Sequence, residues 1–257
     1  MSNFKYTITL FKPLTLVVAF ILSFTSVVGQ EVPIKQTVSI PEPLMFDLVR
    51  GLGARQGELE INSLADFPLN DGSSRGVEWA PEIEFALFDN LAIEFELPFN
   101  DFELEAYKMA IQLTIGSAKN NKFIHGIQVI GESYIHDDIL ELNFLYVPAY
   151  RFNEVWSAIG LFGLMLESGA DTPDKNYTII LNASVFADLN ERTIVGVEIN
   201  NSDAVIQEID DNSMDLLILP QVHYEFDSGF SFQFGVGPKI SDGTTDASAV
   251  LRVIKSF

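Results

Sequence analysis

The 257-residue chain contains no cysteine, so neither a disulfide scaffold nor a thiolate metal site is open to it. Histidine is nearly as scarce: His125, His136 and His223 are the whole supply, which leaves little room for His-based acid–base or nucleophilic chemistry. Bases are few as well, 15 Lys and Arg against 36 Asp and Glu, for a formal net charge of -21. That balance excludes nucleic acid as a partner. Long apolar runs are also missing. The longest, Leu14 to Leu22, falls short of the roughly 20 residues a spanning helix needs. Any membrane crossing is therefore by strands.

What is present begins with a leader. Lys5 and Lys12, the apolar run after them, and Val27-Val28-Gly29 before Gln30 predict a signal peptide over residues 1–29, cleaved after Gly29. No acid precedes Glu31, so the exported chain keeps 13 bases against 36 acids, a net -23. Residues 30–56 carry Pro33, Pro41 and Pro43 and lack sustained alternation, with Gly51 and Gly53 counting against a helix. They read as a periplasmic lead-in or a plug.

From residue 57 to 257 the dominant signal is a period of two, clearest between Val77 and Phe99. Trp79, Pro81, Ile83, Phe85 and Leu87 share one face, while the other holds Glu78, Ala80, Glu82, Glu84 and Ala86. Past Asp89-Asn90, Leu91, Ile93, Phe95, Leu97 and Phe99 alternate with Ala92, Glu94, Glu96 and Pro98. Parity predicts a hairpin with a three-residue turn, Phe88 to Asn90, in which Asn90 takes a left-handed backbone. It also sets Glu84 opposite Glu94 and Glu82 opposite Glu96. One face is purely apolar and the other nearly all carboxylate and alanine, as expected for lipid outside and a lumen inside.

Counting the two of this hairpin, twelve such segments run from Gly57 to Phe257, most of nine to twelve residues, the length a tilted membrane strand needs. Turns of three to five residues, such as Arg151 to Val155 and Asp227 to Gly229, alternate with longer connections such as Asp66 to Gly76 and Asn201 to Met214. Trp79, Phe99, Tyr107, Tyr146, Tyr150, Trp156, Phe226 and Phe230 sit near segment ends, as interface aromatics do. The expected fold is all-β: a transmembrane antiparallel up-and-down barrel of about 12 strands. Pro220, mid-segment, removes a ladder donor and predicts a bulge. A soluble exported β-sandwich or lipocalin-like barrel is the competing architecture.

Alternation places Glu58, Glu60, Glu78, Glu82, Glu84, Glu94, Glu96, Glu132, Glu141, Glu198 and Glu225 inside, against the bases Lys108, Lys239 and Arg252. Three bases cannot pair so many carboxylates, so the interior is either wet and cation-attracting or partly protonated. Ile159, Leu161, Met165, Ile180, Phe186, Leu217 and Leu219 make the opposite wall apolar. A half-apolar lumen is plugged or suits an amphipathic solute. Arg50 and Arg55 are the side chains by which residues 30–56 would reach the acidic wall as a plug.

The last segment, ASAVLRVIKSF, with Ala249, Leu251, Val253 and Phe257 on one face, resembles the terminal strand of bacterial outer-membrane barrels. Glu42, Pro43, Leu44 and Asp47, followed by Leu48 to Arg55, resemble the HAEPLYID-type proteins of Bacteroidota, and the hairpin resembles barrels labelled putative phenol-degradation-pathway transporters. These resemblances imply a Gram-negative cell outer membrane, with its lipid and its barrel-assembly machinery as partners, and supply no catalytic residues. Outer-membrane phospholipases place His and Ser two apart, a spacing absent here, so no enzyme is expected. His223 and Glu225 share an inward face, where a lumen hydrogen bond is the plainer reading. The acidic loop with Asp203, Glu208, Asp210, Asp211 and Asp215 lacks the spacing of a calcium site, so no metal and no cofactor is assigned. The expected function is a passive porin-like channel or transporter for small neutral, cationic or weakly hydrophobic solutes. An envelope-structural or surface-binding barrel is the alternative. Oligomeric state is left open.

Overall fold

The structure is a computed structural model that describes residues 38–46, 48–70, 76–172, 176–201, 216–241 and 244–257. The leader reading and the acidic-loop reading over residues 203–215 lie outside them, as does Asp47. In chain order the strands are β1 Leu59–Pro68, β2 Glu78–Phe88, β3 Leu91–Glu96, β4 Phe99–Asn100, β5 Glu103–Leu104, β6 Ala106–Ala118 and β7 Phe123–Tyr134. They continue with β8 Leu140–Arg151, β9 Trp156–Ser168, β10 Tyr177–Asp188, β11 Thr193–Asn200, β12 Leu216–Glu225, β13 Phe230–Ser241 and β14 Thr244–Ser256.

All pairings are antiparallel, and β1 pairs with both β14 and β2, so the sheet has no edge at its seam. Two-residue β4 and β5 form a small hairpin hung from the outer end of β2; the other twelve strands are the staves of a closed barrel. Closure removes the unpaired backbone groups that lipid would not tolerate. Outward side chains, among them Ile83, Phe85, Phe95, Phe144, Leu181, Phe232 and Phe234, are large, apolar and exposed all round the wall. A soluble domain would bury them; a continuous belt of this kind faces acyl chains.

Local sequence explains the joints. Asn90 adopts φ 69, and the Phe85–Ile93, Glu84–Glu94 and Glu82–Glu96 pairs form as parity requires, but the turn is shorter than expected: Phe88 pairs with Leu91 across Asp89-Asn90, and Leu87 is taken up in a bulge. The tight turn between β6 and β7 runs through Lys119, Asn120 and Asn121, all with positive φ. The third segment keeps its register on β2 through Phe99, opposite Trp79; it leaves β6 after Glu96, and past Pro98, which has no N–H to give, Phe99 and Asn100 turn into the β4–β5 hairpin. One further expectation is corrected. Pro220 makes no bulge. It pairs with Val197 in an unshifted β11–β12 ladder, and the β12–β13 partners on either side of it keep one register. The missing donor shows on the other side, where the β12–β13 pairing is open between Leu217–Lys239 and Gln221–Gly235, a stretch that also holds Pro238.

The Phe257 amide donates to Leu59 O at 2.9 Å, closing the β1–β14 seam one residue past the last ladder pair. Extraction should therefore yield a species whose gel mobility shifts only after boiling, and deleting Phe257 should lower the folded fraction severalfold without affecting export. A truncated chain that folds as well as its parent would show that the terminal residue carries no assembly role.

Candidate functional site

Inward residues on six neighbouring staves fall into one continuous row because each is the direct partner of the next: Glu167 with Glu141, Glu141 with Glu132, Glu132 with Lys108, Lys108 with Glu96, and Glu96 with Glu82. One turn deeper, Glu60, Glu84 and Glu94 face one another across β1, β2 and β3. Directly opposed like charges cost stability, so this wall persists only with compensation.

Three bases supply part of it. Lys108 Nζ lies 2.8 Å from Glu96, both buried. The Arg252 guanidinium bonds Glu82 at 2.8 Å and Glu84 at 3.2 Å, with Nε on Asn62 Oδ1 at 3.2 Å. Arg50 reaches Glu60 at 3.4 Å, Glu58 at 3.6 Å and Glu84 at 3.8 Å. One oxygen each of Glu82, Glu94 and Glu96 lies within 4.8 Å of the others, a spacing a divalent ion would accept, but Lys108 and Arg252 already stand on two of the three. Lys239, half-buried, pairs in register with Asp246 near the outer end of β13.

Part of the chain itself runs inside the lumen. Residues 38–56 enter where the Arg151 guanidinium holds Ser39 O at 2.6 Å, at the short-turn end of β8. They leave at the same end, where Ala54 O accepts from the Asn90 amide at 2.7 Å and the Gly57 amide donates to Ala86 O at 2.9 Å. Between these points Leu44, Met45, Phe46, Leu48 and Val49 are almost fully buried. Phe46, Leu48 and Val49 pack against the apolar wall of Ile124, Ile130, Leu145, Ile159 and Phe186, while Leu44 and Met45 meet Leu217, Leu219 and Val250. Polar contacts fix the depth: Val49 N donates to Gln128 at 3.2 Å, Gly53 N to Thr114 at 2.9 Å, and Gln112 Nε2 to Arg50 O at 2.6 Å. The left-handed backbone of Gly53 (φ 91) turns the segment toward its exit.

Of the residues singled out by sequence, Glu78, Glu84, Glu94, Glu96, Lys108 and Arg252 are buried inward, Glu82 is half-buried on Arg252, and Arg50 joins the acidic wall. Arg55 is exposed at the mouth, its amide donating to the Glu58 carboxylate and its carbonyl accepting from the Glu58 amide, each at 3.1 Å. Glu225 is exposed, and His223 bonds Gln221 at 2.6 Å and packs against Phe186. Two buried inward acids went unnamed, Asp66 and Glu167, each lying on the parity of its own segment and past or at its end. Glu42 was noted only as part of a motif, yet its carboxylate accepts from the Gly51 amide at 2.5 Å.

In solved structures the same architecture recurs at low identity. The KdgM porin, in its complex with disordered oligogalacturonate, aligns over 77% of this chain and 99% of its own at a TM-score of 0.55 and 10% identity. An outer membrane channel from Pseudomonas putida F1 aligns over 80% and 97% at a TM-score of 0.61 and 12% identity. These likenesses establish the fold, an outer-membrane β-barrel, in agreement with the apolar belt. No curated protein matches the sequence. The HAEPLYID-like family matches residues 36–256, nearly all of the described chain, and the protein belongs to that family.

Proposed function

We propose that the protein is a channel for small cationic or neutral solutes, with an acidic outer vestibule and an inner half closed at rest by residues 38–56. The observation that carries this reading is the register-matched row from Glu167 to Glu82, in which one lysine stands among five carboxylates. Buried carboxylates throughout the lumen far outnumber the buried bases Lys108 and Arg252. A narrow pathway with low-dielectric walls and one sign of charge concentrates counter-ions and rejects like charge. Such a lumen suits a different solute from the polyanionic oligogalacturonate found with the KdgM porin. Transport, rather than an envelope-structural role, is favoured because so many desolvated carboxylates are a poor way to fill a purely structural barrel.

Selectivity provides the test. Glu82, Glu84 and Glu96 are bonded to Arg252 and Lys108, so the charge is removed further along the row, by Glu132→Gln, Glu141→Gln and Glu167→Gln together. In planar bilayers under a salt gradient, the parent's reversal potential should indicate cation preference, and the triple variant should lose most of it at similar conductance. Equal selectivity in two folded proteins would make these acids lumen filling.

A further inference from the structure

The five atoms grouped on one carboxylate are the feature least expected from the sequence. Glu198 projects inward from β11 and is fully buried. Its Oε2 accepts from the Leu44 amide at 2.8 Å, and its Oε1 from the Met45 and Phe46 amides at 3.0 and 2.7 Å. Asn200 Nδ2 at 2.7 Å and Gln221 Nε2 at 2.8 Å, both buried, complete the set from β11 and β12. Three consecutive amides converging on an anion form a backbone nest, and donors aimed at an ionised oxygen make the stronger class of hydrogen bond.

The nest belongs to the stretch that carries the family motif, Glu42 to Phe46. Glu42 closes the loop that presents it, by accepting from the Gly51 amide. The loop is tight there: a Cβ at Gly51 would stand 2.9 Å from Glu42 Oε1. Pro43, which has no amide, sits immediately before the three that bind.

We infer that this motif is an intramolecular ligand and Glu198 its receptor, and that the contact is the latch holding residues 38–56 inside the barrel. Its chemistry differs from that of the Arg50 attachment. Arg50 is held by charge pairs, of which the one to the exposed Glu58 is weakened by salt, whereas every donor found on Glu198 is an uncharged amide. The two attachments therefore differ in their response to salt, which weakens the exposed part of the Arg50 attachment and leaves the latch in place. The further consequence, that opening the latch opens the pore, rests on the channel reading given above.

Because the chain has no cysteine, Met45→Cys introduces a single thiol at a fully buried position. In refolded protein that thiol should resist a charged maleimide, at low and high salt alike. Adding Glu198→Gln, which puts an amide where an acceptor is required, should raise the modification rate at least about tenfold. Arg50→Ala should raise it less, with an effect that shrinks in salt. Continued protection in a heat-shifting Glu198→Gln barrel would overturn the latch, as would equal release by Arg50→Ala. If Glu198→Gln fails to form a barrel, Glu42→Ala, which removes the acceptor for the Gly51 amide and leaves the wall untouched, should also raise the rate; no change there would overturn the proposal. Conductance recorded on the same variants separates the readings. A thiol that becomes reactive without any rise in conductance would uphold the latch and remove the channel.

Discussion

Deleting residues 38–53 is expected to turn a barrel that shows almost no single-channel steps into one that conducts continuously. Twelve strands about 4.8 Å apart and tilted by about 40° enclose a backbone cylinder roughly 24 Å across, and inward side chains leave on the order of 10 Å. That remainder is what Phe46, Leu48 and Val49 occupy. The wall keeps its own ladder in their absence, so the truncated chain should still shift on heating. Arg50→Ala should give a partial increase, since only the ionic attachment is lost. Arg55→Ala should give none, its side chain being exposed. Unchanged conductance in the folded deletion would mean that the segment does not limit the pathway.

Arg252→Leu should be the most destabilising single change in the barrel wall. Arg252 lies on the strand that closes the seam, nearly buried, and bridges Glu82, Glu84 and Asn62. Removing one partner of a buried ion pair leaves uncompensated charge, a loss of about 3–5 kcal/mol. Here the abandoned carboxylates also face Glu94 and Glu96 across the β2–β3 ladder. Urea unfolding in detergent should show a clear fall in midpoint, and Glu84→Leu added to Arg252→Leu should recover much of it, because paired apolar replacements remove the desolvation cost along with the attraction. A midpoint that does not move would show that water reaches these carboxylates freely.

The wall was legible because its rules are local. A period of two assigns faces, and loop parity assigned the Glu82–Glu96 and Glu84–Glu94 partners correctly. The errors came where a residue acts beyond its own strand. Pro220 leaves the β11–β12 ladder whole and opens the β12–β13 pairing in a stretch it shares with Pro238, and past Glu96 the third segment loses β6 while keeping β2. Asp66 was given to a loop because β1 runs three residues past Ala65, to Pro68. The interior was far less legible. Residues 38–56 have no strand period to betray their place, and the contacts that fix them are made largely by backbone amides, which every sequence has. Nothing in Leu44-Met45-Phe46 marks those three amides as bound to a glutamate more than 150 residues away.

The entry and exit of that segment lie at one rim. Ser39 is gripped by Arg151, and Ala54 and Gly57 are sewn to the β2–β3 hairpin. A strand pinned at both ends cannot be withdrawn lengthwise like a cork; it can only evert, as a pocket is turned inside out. With roughly 14 residues between the pins, at about 3.4 Å each, its tip can travel no more than about 24 Å below the rim. Everted, it would hang in the periplasm as a closed loop displaying Leu44, Met45, Phe46, Leu48 and Val49 to water. Re-entry would then be a short intramolecular return driven by the burial of those five side chains, so the barrel carries its own means of resealing.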